Sequence, residues 1–232
     1  MKAEFDDYIK EYRKDQDSYL NATGESSEFF TVYKTQKLAE WLPEFFKGVP
    51  KTILDFGCGD GLMTEKVQKQ FPKTKLFGCD PSPESIKVGQ KNHPDITFKV
   101  SGADVSCFKD EQFDVIFAAG VFHHIPFAEH AGYIQDLHRV LSKNGVLILF
   151  ELNPFNPGTQ YIFNTCPIEK NAKMLNPLYA RNLLKEYGSP TLKFYSFFPH
   201  FLRGFRCTEK FLTKVPLGGL YATFLKKETS NK

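Results

Sequence analysis

Apolar residues recur along this chain first at helical spacing, then in short extended runs that alternate with helical stretches. Phe5, Tyr8, Ile9 and Tyr12 fall at i, i+3, i+4 and i+7 and predict one apolar helical stripe. The polar stretch NATGESS interrupts it. Ser27 is expected to cap a second helix carrying Phe29, Tyr33, Trp41 and Leu42, with Pro43 marking its end region. From residue 51 the rhythm changes. Ile53-Leu54 predicts a short strand, and Leu62, Met63, Val67 and Phe71 outline a helix. Lys75 to Cys79 reads as a second strand ending in Asp80, followed by Ser82 as N-cap and Pro83 at the first helical position. Ile96 to Val100 and Phe113 to Ala118 predict a third and a fourth strand. Ile134, Leu137 and Leu141 predict a helix stopped by Asn144-Gly145, and the nearly all-apolar run Val146 to Phe150 a fifth strand covered on both faces.

Such alternation within about a hundred residues demands a parallel sheet with right-handed crossovers. After Leu152 it pauses for NPFNPGTQYIFNTCPIEKNAKML, longer than an ordinary connection. A helix (Leu178 to Tyr187) and two further strands (Leu192 to Phe198, Leu220 to Leu225) follow, and no internal repeat is present.

The first strand runs into Asp55-Phe-Gly57-Cys-Gly59-Asp-Gly61. Glycines there let the backbone turn tightly and approach a ligand, and the next helix N-terminus offers free N–H groups. The dinucleotide fingerprint is GxGxxG; here the spacing is GxGxG, preceded by an acid that would repel a pyrophosphate. A ligand bearing both an amino group and a carboxylate suits the mixture better. Asp80 ends the second strand, where a carboxylate accepts from ribose hydroxyls, and Asp104, after the third, suits an adenine amino group. Three acids at three successive strand ends say more than any one.

Together these motifs resemble the class I S-adenosylmethionine-dependent methyltransferases over about residues 50 to 152. ILDFGCGDG is similar to their first motif, LFGCDPS to their second, and FDVIFAAGVFHHI with LHRVLSKNGVLILFE to later ones. The resemblance implies an α/β, Rossmann-like, doubly wound sheet of seven strands in order 3-2-1-4-5-7-6, the last strand antiparallel. It implies S-adenosyl-L-methionine as cofactor, with S-adenosyl-L-homocysteine as product. Residues 1–48 are expected to form an N-terminal helical lid, and 49–232 the methyltransferase domain with a substrate-covering insert at 154–176. Carried over, Asp55, Gly57, Cys58 and Gly59 line the methionine end, and Asp80 binds the ribose. Pro81 and Ser82 flank the adenine, Ala103, Asp104 and Val105 meet its amino edge, and Ala119 and Gly120 lie beside the sulfonium.

Methyl transfer from a sulfonium is a direct displacement, so the protein mainly aligns the reacting atoms. A hydroxyl acceptor also needs a base. His123 and His124, after the fourth strand, are the candidates, His124 preferred over His123. Glu151, ending the fifth strand, is placed to assist a histidine or orient the acceptor, and Asn153 is expected on the same side. Asn156, Tyr161 and Asn164 are candidate cover residues, and Tyr12, Tyr19, Tyr33 and Lys34 candidate lid residues. The Phe-rich stretch 194–216 carries Arg203, Arg206, Lys210 and Lys214 and reads either as a strand with a packed loop or as an element that rests on a membrane surface or admits a greasy acceptor.

Composition narrows the partners. With 41% hydrophobic and 25% charged residues and a formal net charge of +3, the chain is ordinary globular protein with no basic field of the kind nucleic acid requires. No (Asn/Asp/Ser)-Pro-Pro-aromatic stretch follows the fourth strand, which disfavours a nucleic-acid methyltransferase. The glycine spacing and Asp104 disfavour a nicotinamide-dependent oxidoreductase. The retained acids disfavour a non-catalytic donor-binding protein. The five cysteines contain no CxxC, predicting reduced thiols, a cytoplasmic setting and no metal site. The first residues contain no apolar core and read as no signal peptide, and no run reaches the length of a membrane span. The expected reaction is methylation of a small molecule, on an oxygen of a sugar, lipid-linked or quinone-like metabolite.

Overall fold

The computed structural model describes residues 19–20, 23–101 and 105–228. Its strands are β1 (Thr52–Phe56), β2 (Lys75–Asp80), β3 (Thr97–Val100), β4 (Phe113–Ala119), β5 (Leu141–Leu152), β6 (Thr191–Tyr195) and β7 (Leu220–Lys226). They form one sheet in the order β3-β2-β1-β4-β5-β7-β6. Pairing is parallel from β3 to β5, and β7 runs antiparallel to both β5 and β6. Among the described residues the main helices are α1 (Ser27–Trp41), α2 (Leu62–Gln70), α3 (Pro83–Asn92), α4 (His130–Val140), α5 (Pro157–Thr165) and α6 (Pro177–Leu184).

The strands' apolar runs make sense because both faces are covered. Ile53, Val115, Ile148 and Phe150 pack with Leu38 and Trp41 of α1 and Val67 of α2. Leu54, Ile116, Leu147 and Leu149 pack with Ile134 and Leu137 of α4 and Leu184 of α6. Alternate residues of one strand therefore feed two cores. Each fully buried side chain contributes roughly 1.5–3 kcal/mol in transfer from water.

Strand order reverses between β1 and β4: the chain winds outward from β1 to β3, then returns to β4. The carboxyl ends of these two strands open a crevice, the place where such sheets bind ligands. That crevice is the candidate site.

The expected sheet order and crossovers are present, with local corrections. The cap of α1 is Ser26, whose Oγ accepts the Phe29 N–H at 3.1 Å; Ser27 is the first helical residue. The helix through Ile134 and Leu137 ends at Val140, because Leu141 pairs with Phe113 and begins β5. Asn144-Gly145 then belongs to a bulge in that strand, Asn144 at φ 62°, and pairing resumes at Val146 with Val115. β6 stops at Tyr195 because Ser196 adopts φ 62°. The insert is not bare loop: it contains α5, which Asn156 caps by accepting the Thr159 N–H at 2.9 Å. The first predicted stripe, Phe5 to Tyr12, lies outside the described residues, as do Ala103 and Asp104.

Candidate active site

The crevice is a cavity of about 530 Å³. Its floor is the glycine loop after β1. Gly57 and Cys58 donate their N–H groups to the Cys79 carbonyl at 2.8 and 3.0 Å, tying the loop to the end of β2. Gly57 stands at φ 74°, and a Cβ there would come within 2.5 Å of Val121, so both torsion and packing require glycine. Gly59, at φ 54°, has nothing within 4 Å of where a Cβ would project.

Asp80 sets the second edge. One carboxylate oxygen accepts the Gly59 N–H and the other the Ser82 N–H, both at 2.9 Å. Pro81 lines the cavity, whereas Ser82 is fully buried and caps α3 by accepting the Ser85 N–H at 3.1 Å. Beyond β3, Ser101 lines the cavity and donates its N–H to the Asp80 carbonyl at 3.0 Å. The Val105 side chain packs in the core, away from the cavity.

Asp55 lies beneath the loop and accepts from the Thr64 hydroxyl at 2.7 Å. Burial, reinforced by the charge of Asp80, pushes its carboxyl up to about 7. Cys58 lines the cavity, and burial, with Asp55 and Asp80 nearby, raises its thiol well above the ordinary range. Ala119 and Gly120 complete this side, the Gly120 N–H donating to the Phe150 carbonyl at 2.8 Å.

The donor set fits the expected ligand. A Cβ-free loop, a carboxylate fixed at the end of β2 and a buried acid under the loop suit a nucleoside carrying an amino acid. S-adenosylmethionine would be held by Gly57, Gly59, Asp80 and Asp55.

Across the cavity stands a second group. His123 Nδ1 lies 2.6 Å from Glu151 Oε2, and its Nε2 3.3 Å from Glu169 Oε2. His124 Nε2 lies 3.6 Å from that same Glu169 oxygen. The other Glu151 oxygen accepts the Phe122 N–H at 2.9 Å, and Lys173 donates its N–H to the His123 carbonyl at 2.9 Å. Burial opposes a charged His123 ring, but Glu151 and Glu169 outweigh it and raise its pKa to about 10. The two carboxylates thus favour the charged form of the His123 ring. Burial likewise works against the Glu169 charge, yet His123, His124 and Lys34 hold its carboxyl below the usual range. Lys34, on α1, lines the same cavity; burial lowers its pKa against the pull of Glu151, Glu169 and Asp55.

Glu169 was not singled out by sequence. It follows Cys166-Pro167 in the insert, and no spacing links it to the histidines. Of the expected cover residues, Tyr161 and Asn164 are exposed, and neither lines the cavity. Asn153 is fully buried and donates to the Pro216 and Gly218 carbonyls at 3.1 and 2.6 Å, fastening the insert to the segment before β7. Of the lid candidates, Lys34 lines the cavity, Tyr33 donates instead to Glu209, Tyr19 is not among the lining residues, and Tyr12 lies outside the described residues.

A family described as a methyltransferase domain matches residues 53–145. The trans-aconitate 2-methyltransferase of Methylobacterium nodulans is 29% identical over 119 residues, which are 51% of this chain and 45% of that protein. The demethylmenaquinone methyltransferase of Thermotoga maritima is 29% identical over 107 residues, 46% of each chain. The chain spans about half the length of these curated relatives. Among solved structures, a SAM-dependent methyltransferase from Archaeoglobus fulgidus aligns with a TM-score of 0.67 over 90% of this chain and 98% of that one. At 17% identity that likeness speaks for the fold.

Proposed function

From the methyltransferase-domain match over residues 53–145 and the shared fold, we propose that this chain is a class I S-adenosylmethionine-dependent methyltransferase that methylates an oxygen of a small molecule, a sugar, lipid-linked or quinone-like metabolite. The observation that carries this reading is one cavity lined on one side by the glycine loop with its fixed Asp80 and on the other by His123, His124 and Glu169.

S-adenosylmethionine, when bound, supplies a methyl carbon already activated by its sulfonium. The chain's own residues then align the acceptor and take up its proton. Glu151 fixes the His123 ring by accepting from it and from the Phe122 N–H. His123, in its favoured charged form, keeps Glu169 ionised beside His124. His124, on the cavity wall, takes the hydroxyl proton on a ring nitrogen, and Glu169 offsets the resulting positive charge. His123, Glu151 and Glu169 are positioning residues for that step.

Calorimetry with S-adenosylhomocysteine and with NAD tests the donor assignment: one site for the first and none for the second is expected. In a turnover assay across hydroxyl acceptors, His124→Ala is expected to leave donor affinity unchanged and to slow transfer about 10²-fold or more. Full turnover in that variant removes the base, and absence of donor binding removes the reading as a whole.

A further inference from the structure

Residues His200–Phe211 form tight helical turns between β6 and β7, kinked at Leu202. Three phenylalanines point outward: Phe201 is 79% exposed, Phe205 59% and Phe211 77%, and Leu217 just beyond is 59% exposed. Singly exposed apolar residues are common on proteins, but such a concentration within one segment marks an interaction surface.

The polar residues explain why the segment is held this way round. Glu209, the one acid between residues 200 and 217, is buried. It accepts the N–H groups of Ser196 at 3.2 Å and Phe197 at 3.0 Å, and the hydroxyl of Tyr33. Arg206 also turns inward, pairing with Glu25 at 2.6 Å and lying over the Phe29 ring at 4.6 Å. These anchors fix the backbone with its phenylalanines facing solvent. The exposed Arg and Lys side chains there, Arg203, Lys210 and Lys214, are all positive.

We infer that this segment docks on an anionic membrane surface, with Phe201, Phe205, Phe211 and Leu217 entering the interfacial layer and Arg203, Lys210 and Lys214 meeting lipid phosphates. Charge selects this occupant. A second copy of the chain packed face to face would bring the same cations together, which opposes association. An anionic lipid surface complements both the cations and the aromatic rings. Among the described residues no helix is long and apolar enough to cross a membrane, and the inference concerns a surface contact of this segment alone.

The location adds a reason for such a contact. Ser27, Thr31 and Lys34 line the cavity from one face of α1, while Phe29 and Tyr33, on its other side, hold the aromatic segment. α1 therefore touches both the cavity and the segment that carries the docking surface. Docking goes beyond the proposed reaction and does not depend on it, since it requires no methyl donor.

The test is co-sedimentation of the full chain with phosphatidylcholine vesicles, with and without about one-third phosphatidylglycerol. Binding is expected on the anionic vesicles and not on phosphatidylcholine alone. It is expected to fade between about 0.1 and 1 M salt, where the screening length falls from about 10 to about 3 Å. Lys210→Gln and Lys214→Gln are each expected to weaken it about fivefold, and Phe201→Ser with Phe211→Ser about tenfold or more. Unchanged melting temperature and unchanged S-adenosylhomocysteine affinity in these variants show that the fold and donor site persist. Three outcomes overturn the inference: no binding at low salt, equal binding to both vesicle types, or lipid-free self-association that the Phe substitutions abolish. The last assigns the patch to a second copy.

Discussion

The two sides of the cavity are built by different means. Most of the donor side is local: β1, its loop, the end of β2 and the cap of α3 lie within 32 residues, Thr52 to Pro83, tied by hydrogen bonds to backbone N–H groups, and Ser101, Ala119 and Gly120 join from the next strand ends. The acceptor side is assembled from afar. Lys34 comes from α1, the histidines from the turn after β4, Glu151 from the end of β5 and Glu169 from the insert. A local, backbone-built half is suited to one invariant ligand. A half built from side chains on several segments can change its occupant without disturbing the sheet.

This contrast predicts that substitutions separate cleanly by readout. Asp80→Ala removes the acceptor of two N–H groups and the proposed ribose partner, and is expected to weaken S-adenosylhomocysteine binding about 100-fold by calorimetry. Glu169→Gln is expected to leave that affinity intact and lower kcat about 10- to 100-fold, with the pH–rate profile displaced because His124 loses its charged neighbour. Equal effects on both readouts in either variant would dissolve the division.

Asp55 sharpens the comparison through pH. Its pKa of about 7 means that it must release a proton to meet an ammonium, so donor affinity is expected to rise about tenfold from pH 6 to pH 8 and then level off. Asp55→Asn should flatten that curve in calorimetry. In the ligand-free protein the sign is opposite. The raised pKa contributes stability that is fully present below the unfolded value near 3.8 and lost as pH climbs through about 7, so melting temperature falls across that window. The smallest effect expected is that of Ser82→Ala. Loss of the cap costs about 1 kcal/mol in urea unfolding, with donor affinity nearly unchanged because the residue's N–H to Asp80 survives.

The same contrast explains what could be read from the sequence. The glycine loop, Asp55, Asp80 and the Ser82 cap lie within one strand–loop–helix–strand–helix run, where each stands at a motif position of the chain, so their spacing carries them. Sheet order came with the resemblance and is matched strand for strand. Glu169 meets His123 only because the insert folds back over the crevice, and no period records that contact. Leu141 satisfies both readings, since it continues the stripe of Ile134 and Leu137 as readily as it starts a strand; pairing with Phe113 decides it. Asn153 looked like a site residue from its place at the end of β5, but two carbonyls near β7 occupy its amide.

The burial of Cys58 has a consequence for the survival of the catalyst. Were the pocket to take the proposed sulfonium donor, a thiolate in its floor would compete for the methyl group and poison its own protein. Thiols attack as thiolates, and burial shifts this sulfur toward its protonated form. In the proposed reaction, that direction of shift lessens the competition of Cys58 for the methyl group.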